Sequence, residues 1–129
     1  MPDAVEEMLR HDCPITETAR IALQDLEFGG CPVRSGETLT LSLSAANHDP
    51  EVFDDADKFD IRRSPHNHLG FGSGIHVCLG APLARMESQI GIGRFIERYP
   101  NARLDPTQTP QRRALPFFRG FETLPLLLH

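Results

Sequence analysis

Residues 71–80 read Phe71-Gly72-Ser73-Gly74-Ile75-His76-Val77-Cys78-Leu79-Gly80. They set one cysteine at the end of a glycine-rich loop, just before Pro82 opens a helical pattern. A sulfur there meets backbone N–H groups that have no partner inside the helix, at the positive end of the helix dipole. That setting stabilises a thiolate and makes it a good metal ligand. Gly72, Gly74 and Gly80 permit turns and close approach that a side chain would block. Phe71 puts an apolar wall beside the sulfur, and His76 a polar group just before it. Two other readings of Cys78 are open: a buried structural thiol, and a zinc site drawn from His66, His68, His76 and Cys78. The first leaves the glycines, Phe71 and His76 unexplained. The second lacks a C-x-x-C or H-x-x-x-H spacing.

The totals fit one domain with a single core: 129 residues, 40% hydrophobic and 24% charged. A formal net charge of −5 and the lack of a Lys/Arg stripe argue against nucleic-acid binding. The three cysteines, at positions 13, 31 and 78, give no disulfide framework and suit a reducing cytoplasm. No apolar run is long enough to span a bilayer, and the first residues do not resemble a signal peptide, so a cytoplasmic protein without membrane attachment is expected.

Outward from the cysteine loop, the pattern predicts mainly α structure with small β-sheets, an α+β chain. A helix is expected over residues 2–10, with Pro2 and the acidic residues Asp3, Glu6 and Glu7 early and Val5, Met8 and Leu9 as its apolar face. Strands are expected over 20–42, where Gly29-Gly30 and Arg34-Ser35-Gly36 mark turns and Thr38 to Leu43 alternates with period two. A short helix over 43–48 gives way to an irregular meander over 50–70. The longest helix is predicted over 82–99, with Leu79, Leu83, Met86 and Ile90 as one buried stripe. Gly91 and Gly93 lower its propensity by about 1 kcal/mol each relative to alanine and suggest close approach by another element. Terminal strands are expected over 114–128, divided at Arg119-Gly120.

The loop resembles the heme-binding signature of the cytochrome P450 family, Phe-x-x-Gly-x-His/Arg-x-Cys-x-Gly, at every defined position. The resemblance implies that Cys78 is the axial ligand of the iron of heme b, with Phe71 and Gly80 shaping its loop. It further implies that Arg20 and His76 contact the heme propionates, since carboxylates entering a largely apolar pocket need charged or hydrogen-bonding partners. Glu7 and Arg10, at i, i+3 on the first helix, match the family's Glu-x-x-Arg pair. A second arginine from the meander, Arg63 with Arg62 as the adjacent alternative, completes a structural triad. Ala56 stands where the family usually has proline, a departure expected to loosen that turn. Cys13, Cys31 and the histidines other than His76 (His11, His48, His66, His68 and His129) have no ligand role on this reading and are expected at the surface, as caps or as incidental residues.

The resemblance runs over residues 2–128 and corresponds to the C-terminal, proximal-heme part of the family. It leads to the expectation that residues 1–129 are a truncated domain, without the distal helix and its acid–alcohol pair and hence with no catalytic residue of its own. The DNA upstream of Met1 would test whether that residue is the true start. In the complete family enzyme, heme, O2 and electrons from a redox partner, expected to be a ferredoxin, hydroxylate a small apolar substrate. Segments around Ile15 to Ala19 and Phe117 to Phe118 are the ones placed to line it. The alternative is a non-catalytic product, a heme-binding or interaction module without turnover.

Overall fold

The computed structural model describes residues 1–64 and 67–129, so the expectation for His66 lies outside the described residues. Helix α1 (Pro2–His11) places proline at its start, Asp3 in the first turn, and Arg10 and His11 in the last. These charges suit the helix dipole. Its buried face is Val5, Glu6, Glu7 and Arg10, so charged side chains dominate the surface it turns inward.

Strands β1 (Glu17–Ile21), β2 (Leu26–Phe28), β3 (Cys31–Val33) and β4 (Thr38–Ser42) follow. β1 starts before the expected residue 20 because β4 runs to Ser42 and pairs with it there, in the antiparallel register Glu17↔Ser42 to Ile21↔Thr38. β2 and β3 form a hairpin whose turn residues Gly29 and Gly30 both have positive φ, 58° and 80°. Those are the signs a tight two-residue hairpin turn demands, and glycine adopts them without steric cost. Helix α2 (Leu43–Ala46) is capped by Ser42, whose hydroxyl accepts the Ala45 N–H at 3.1 Å. It ends before the expected residue 48.

Helix α3 (Ala81–Arg98) follows the cysteine loop and packs against α1. The expected stripe has the helical period, but it is not buried. Leu79 is 98% exposed, and Leu83, Met86 and Ile90 are 53%, 53% and 58% exposed. Periodicity identifies the face of a helix, and only a neighbouring element can cover it. Gly91 has no neighbour within 4 Å of where a Cβ would stand, and Gly93 meets only the end of Met1 at 3.9 Å, so neither marks a close approach among the described residues.

The C-terminal part pairs as β5 (Arg103–Leu104) with β8 (Leu126–Leu127), and β6 (Gln111–Arg112) with β7 (Phe121–Thr123). The expected strand at the start of 114–128 does not form. Residues 115–118 instead make a turn held by isolated bridges Ile15↔Phe118 and Leu115↔Phe118. Pro116 has no N–H to give to a ladder, which confines this run to turn or edge geometry. Pro125 likewise separates β7 from β8.

Among the described residues the buried apolar set is small: Val5, Cys13, Ala22, Leu43, Phe53, Ala56 and Ala81. Arg10 and Glu7 are the largest of the fully buried side chains. Hydrogen bonding at the junction of α1 and the meander therefore carries much of the organisation that apolar packing supplies elsewhere.

Candidate functional site: the Cys78 loop and its scaffold

An irregular segment has no ladder to satisfy its backbone, so its carbonyls need other donors. In the meander the donors are guanidinium groups. Arg10 Nη1 donates to Asn47 O at 2.7 Å and to Ala56 O at 2.8 Å, and Nη2 donates to Lys58 O at 3.2 Å. Arg63 donates from Nη1 to Asp54 O at 2.7 Å and from Nη2 to Asp55 O at 3.2 Å. Ala56, in the usual place of a proline, is buried and held through its carbonyl. The expected loosening of this turn is therefore opposed by Arg10.

Glu7 joins both arginines. Its Oε2 accepts Arg10 Nε at 2.7 Å, and its Oε1 accepts Arg10 Nη2 at 2.9 Å, Arg63 Nε at 3.3 Å and the Asp60 N–H at 3.0 Å. The Glu7 and Arg10 side chains are both 0% exposed. Desolvation pushes the Glu7 carboxyl up, but the Arg10 and Asp60 hydrogen bonds and the two cations outweigh it and hold the group below the usual glutamate range. Arg62, the adjacent candidate, turns outward to Asp60 and is 85% exposed. Arg63 is the one that reaches Glu7.

The cysteine loop sits on this frame. Gly72 has φ 73°, and a Cβ there would stand 3.0 Å from His76 O, so the turn admits only glycine without strain. Residues Gly74–His76 make one 3-10 turn. The Cys78 N–H donates to Phe71 O at 2.8 Å, closing the loop, while Cys78 O accepts the Ala81 N–H at 3.1 Å at the mouth of α3. Cys78 is exposed, so it is not a buried structural thiol. A Cβ on Gly80 would stand 3.8 Å from the sulfur, and glycine leaves that side of Sγ open.

Cys78, His76, Phe71 and Arg20 line one cleft of about 310 Å³, with Leu9, Pro14, Ile15 and Leu43 among its apolar walls. Arg20 extends from β1 and is held locally, Nη1 donating to Ala19 O at 2.8 Å. His76 is exposed. The chemistry of this donor set fits a heme: one open sulfur at a helix N-terminus, apolar walls, and a cation and an imidazole for carboxylates. Among the described residues no cluster of three or more His, Cys, Asp or Glu that could hold a metal occurs; His66, one of the residues of the zinc alternative, lies outside them. Of the other thiols, Cys13 is buried and donates to Ile15 O at 2.9 Å, and burial pushes it above the usual thiol range. Cys31 is exposed on the β2–β3 hairpin.

Sequence reasoning missed a second, partly buried charge network, in which the Arg85 side chain is 37% exposed. Glu6, beside Glu7, accepts from Arg85 Nε at 2.8 Å and Nη2 at 2.9 Å, and its Oε2 lies 3.0 Å from His68 Nε2. His68 was expected at the surface, yet its side chain is 1% exposed. Burial alone would raise the Glu6 carboxyl, but the hydrogen bonds from Arg85 and His68 and the Arg85 charge bring it below the usual range. The one local signal was the Glu6-Glu7 doublet, which puts adjacent carboxylates on the inward side of α1.

The family model described as "Cytochrome P450" matches residues 1–122. The chain is 47% identical over 123 residues to the biotin biosynthesis cytochrome P450 of Bacillus subtilis (strain 168), covering 95% of this chain and 31% of that protein. It superposes with TM-score 0.92 and 45% identity on P450BioI in complex with an acyl carrier protein ligated to hexadec-9Z-enoic acid, covering 99% of this chain and 33% of the other. CYP109E1 from Bacillus megaterium in complex with testosterone gives TM-score 0.91 and 36% identity, covering 98% and 35%. The chain thus spans about a third of the length of the relatives it matches. Among the described residues, no helix is long and apolar enough to cross a membrane.

Proposed function

The chain belongs to the cytochrome P450 family, and on that premise we propose that it provides the cysteine ligand and proximal heme pocket of a heme-thiolate monooxygenase. One observation carries the reading: an exposed Cys78 shares a single cleft with Phe71, His76 and Arg20. A heme b held there would supply the iron chemistry for activating O2. The chain's own residues do the holding. Cys78 would ligate the iron through Sγ, and its N–H is tied to Phe71 O. Arg20 and His76 take the propionates, Phe71 closes the apolar wall, and Gly80 leaves the sulfur's flank clear. Glu7, Arg10 and Arg63 keep the meander in place beneath the loop and touch no reacting atom.

A small apolar organic substrate, electrons from a ferredoxin-type partner and a cytoplasmic setting complete this reading. A relative named as a steroid C26-monooxygenase and the P450BioI complex with an acyl carrier protein ligated to hexadec-9Z-enoic acid are in keeping with an apolar substrate. A second reading, a heme-binding or interaction module without turnover, draws on the open apolar surface around the cysteine, where Ile75 is 97% and Leu79 98% exposed.

Reconstitution with hemin, followed by the carbon-monoxide difference spectrum of the reduced protein, tests the proposal. A red-shifted thiolate band is expected in the native chain and in Cys13→Ser and Cys31→Ser, and its loss in Cys78→Ser. A thiolate band that survives in Cys78→Ser refutes the ligand assignment.

A further inference from the structure

The Glu6 network stands outside the triad and is not used by any step above. It nonetheless joins three elements that meet at the cysteine loop. α1 contributes Glu6, the segment before the loop contributes His68, and α3 contributes Arg85. Arg85 makes a bidentate pair with the Glu6 carboxylate through Nε and Nη2, at 2.8 and 2.9 Å. Its guanidinium carbon also lies 4.7 Å from the centroid of the Phe71 ring, so the plane is held by a carboxylate and by an aromatic face. His68 meets the same Oε2 that accepts Arg85 Nη2 and fixes the orientation of the carboxylate. The Gly70 N–H donates to His68 Nδ1 at 3.0 Å, so the ring proton lies on Nε2 and is donated to Glu6. A Cβ at Gly70 would stand 3.0 Å from that Nδ1, so the ring is also seated directly against the backbone leading into the loop.

Phe71 links this network to the ligand. Its ring carries Arg85, and its carbonyl accepts the Cys78 N–H at 2.8 Å. We propose that Arg85 is a positioning residue for Cys78: gripped by Glu6 and stacked on Phe71, it fixes the carbonyl that anchors the Cys78 amide and thereby the place of the sulfur at the start of α3. Lysine cannot replace it, because an ammonium offers neither the two-pronged fork nor a plane to stack. The role is separate from that of Glu7, which orders the meander carbonyls and, among the described residues, shares no hydrogen bond or ion pair with Arg85 or Phe71.

Amide hydrogen exchange on the full 129-residue chain, followed by NMR, tests this without heme. Arg85→Met is expected to lower protection of the Cys78 amide by about tenfold or more relative to amides in the middle of α3. Arg85→Lys is expected to fail to restore it. Arg94→Met, which removes only an exposed pair with Glu97, is expected to leave it unchanged. Native Cys78 protection in Arg85→Met, full rescue by lysine, or a uniform loss across α1 and α3 would each overturn the proposal. If Arg85→Met does not fold, Arg85→Lys decides alone, and native protection of its Cys78 amide refutes the idea.

The spectroscopic arm rests on the heme reading. In reduced, carbon-monoxide-bound protein, Arg85→Met and Arg85→Lys are expected to convert part of the thiolate band to the form without thiolate ligation. A full thiolate band in both variants also refutes the proposal. A native chain with no thiolate band counts against heme ligation, while the exchange experiment still decides the role of Arg85.

Discussion

Removing the Glu7 carboxylate tests the scaffold most directly. Glu7→Ala deletes the acceptor of two Arg10 bonds, one Arg63 bond and the Asp60 N–H. Arg10 keeps its bonds to Asn47 O, Ala56 O and Lys58 O, but its charge stays in a site that is 0% exposed with no anion against it. Breaking a buried pair on one side costs about 3–5 kcal/mol, most of it from the charge left behind. Arg63, 17% exposed, relaxes toward solvent and adds little. Glu7→Gln keeps one acceptor oxygen and the shape, and is expected to cost about 2–3 kcal/mol. Total domain stability is only about 5–15 kcal/mol, so the alanine change should remove a large part of it. Urea unfolding at pH 7, monitored by far-ultraviolet circular dichroism and read at constant slope, measures both variants. The comparator is Glu97→Ala, which breaks the exposed Arg94–Glu97 pair and should cost under about 1 kcal/mol. A Glu7→Ala cost no larger than that would show that Glu7 behaves as a solvated surface carboxylate, and the buried triad would be refuted.

Three further outcomes are expected. Gly72→Ala forces a side chain into φ 73° with its Cβ 3.0 Å from His76 O, and should cost about 1–3 kcal/mol in the same assay; a neutral or stabilising change would refute the tight turn. Glu6 and Glu7 are both held below the ordinary value of 4.5, so the stability they give is present above that pH and is lost as pH falls through their depressed folded values. Thermal midpoints should fall steeply on acidification below 4.5 and less steeply in Glu6→Gln and Glu7→Gln, and identical slopes in all three proteins would refute this. Supplied with heme, a surrogate ferredoxin system and O2, the 129-residue polypeptide by itself is expected to consume reductant as peroxide or water; tight coupling to a single hydroxylated product would show a closed pocket that these residues do not form alone.

The fold class was legible because it rests on local signals: a glycine-flanked cysteine before a proline-led helix, a period-two run before Leu43, and turn pairs such as Gly29-Gly30. The candidate site was legible only as an order of motifs along the chain. Arg63 was named over Arg62 by the resemblance alone, because the two are neighbours in a segment without periodicity, and it is Arg63 that reaches Glu7. The Arg63 N–H closes a turn onto Asp60 O at 2.9 Å, which helps direct its side chain inward. The role of His68 was equally hidden, since it exists only where α1 and α3 meet. The run around Pro116 carries strand-forming residues, but a missing N–H decides against a ladder. In α3 the period was readable, whereas the exposure of its stripe depends on what lies against it.

The balance between these parts explains how the site is organised. Buried ion pairs rarely add net stability over apolar packing, because desolvation offsets most of their attraction. What they impose is geometry: Glu7 and Glu6 accept fixed forks from Arg10 and Arg85, and each fork admits few alternative arrangements. One network orders carbonyls of the meander, and the other reaches the loop through Phe71. Their polar groups lie on the α1 side, while the cysteine and the stripe Leu79, Leu83, Met86 and Ile90 face solvent. On the proposed reading, the sulfur meets a flat cofactor, and that meeting needs an open approach that the sulfur's own scaffold must not bury. Its position is therefore set from behind, by hydrogen bonds with defined directions, and apolar surface is left on the open side for what is to bind there. Direction comes from the charged networks, and the cleft's own apolar walls are Leu9, Pro14, Ile15 and Leu43, so the charges order the scaffold while a separate apolar lining faces the sulfur.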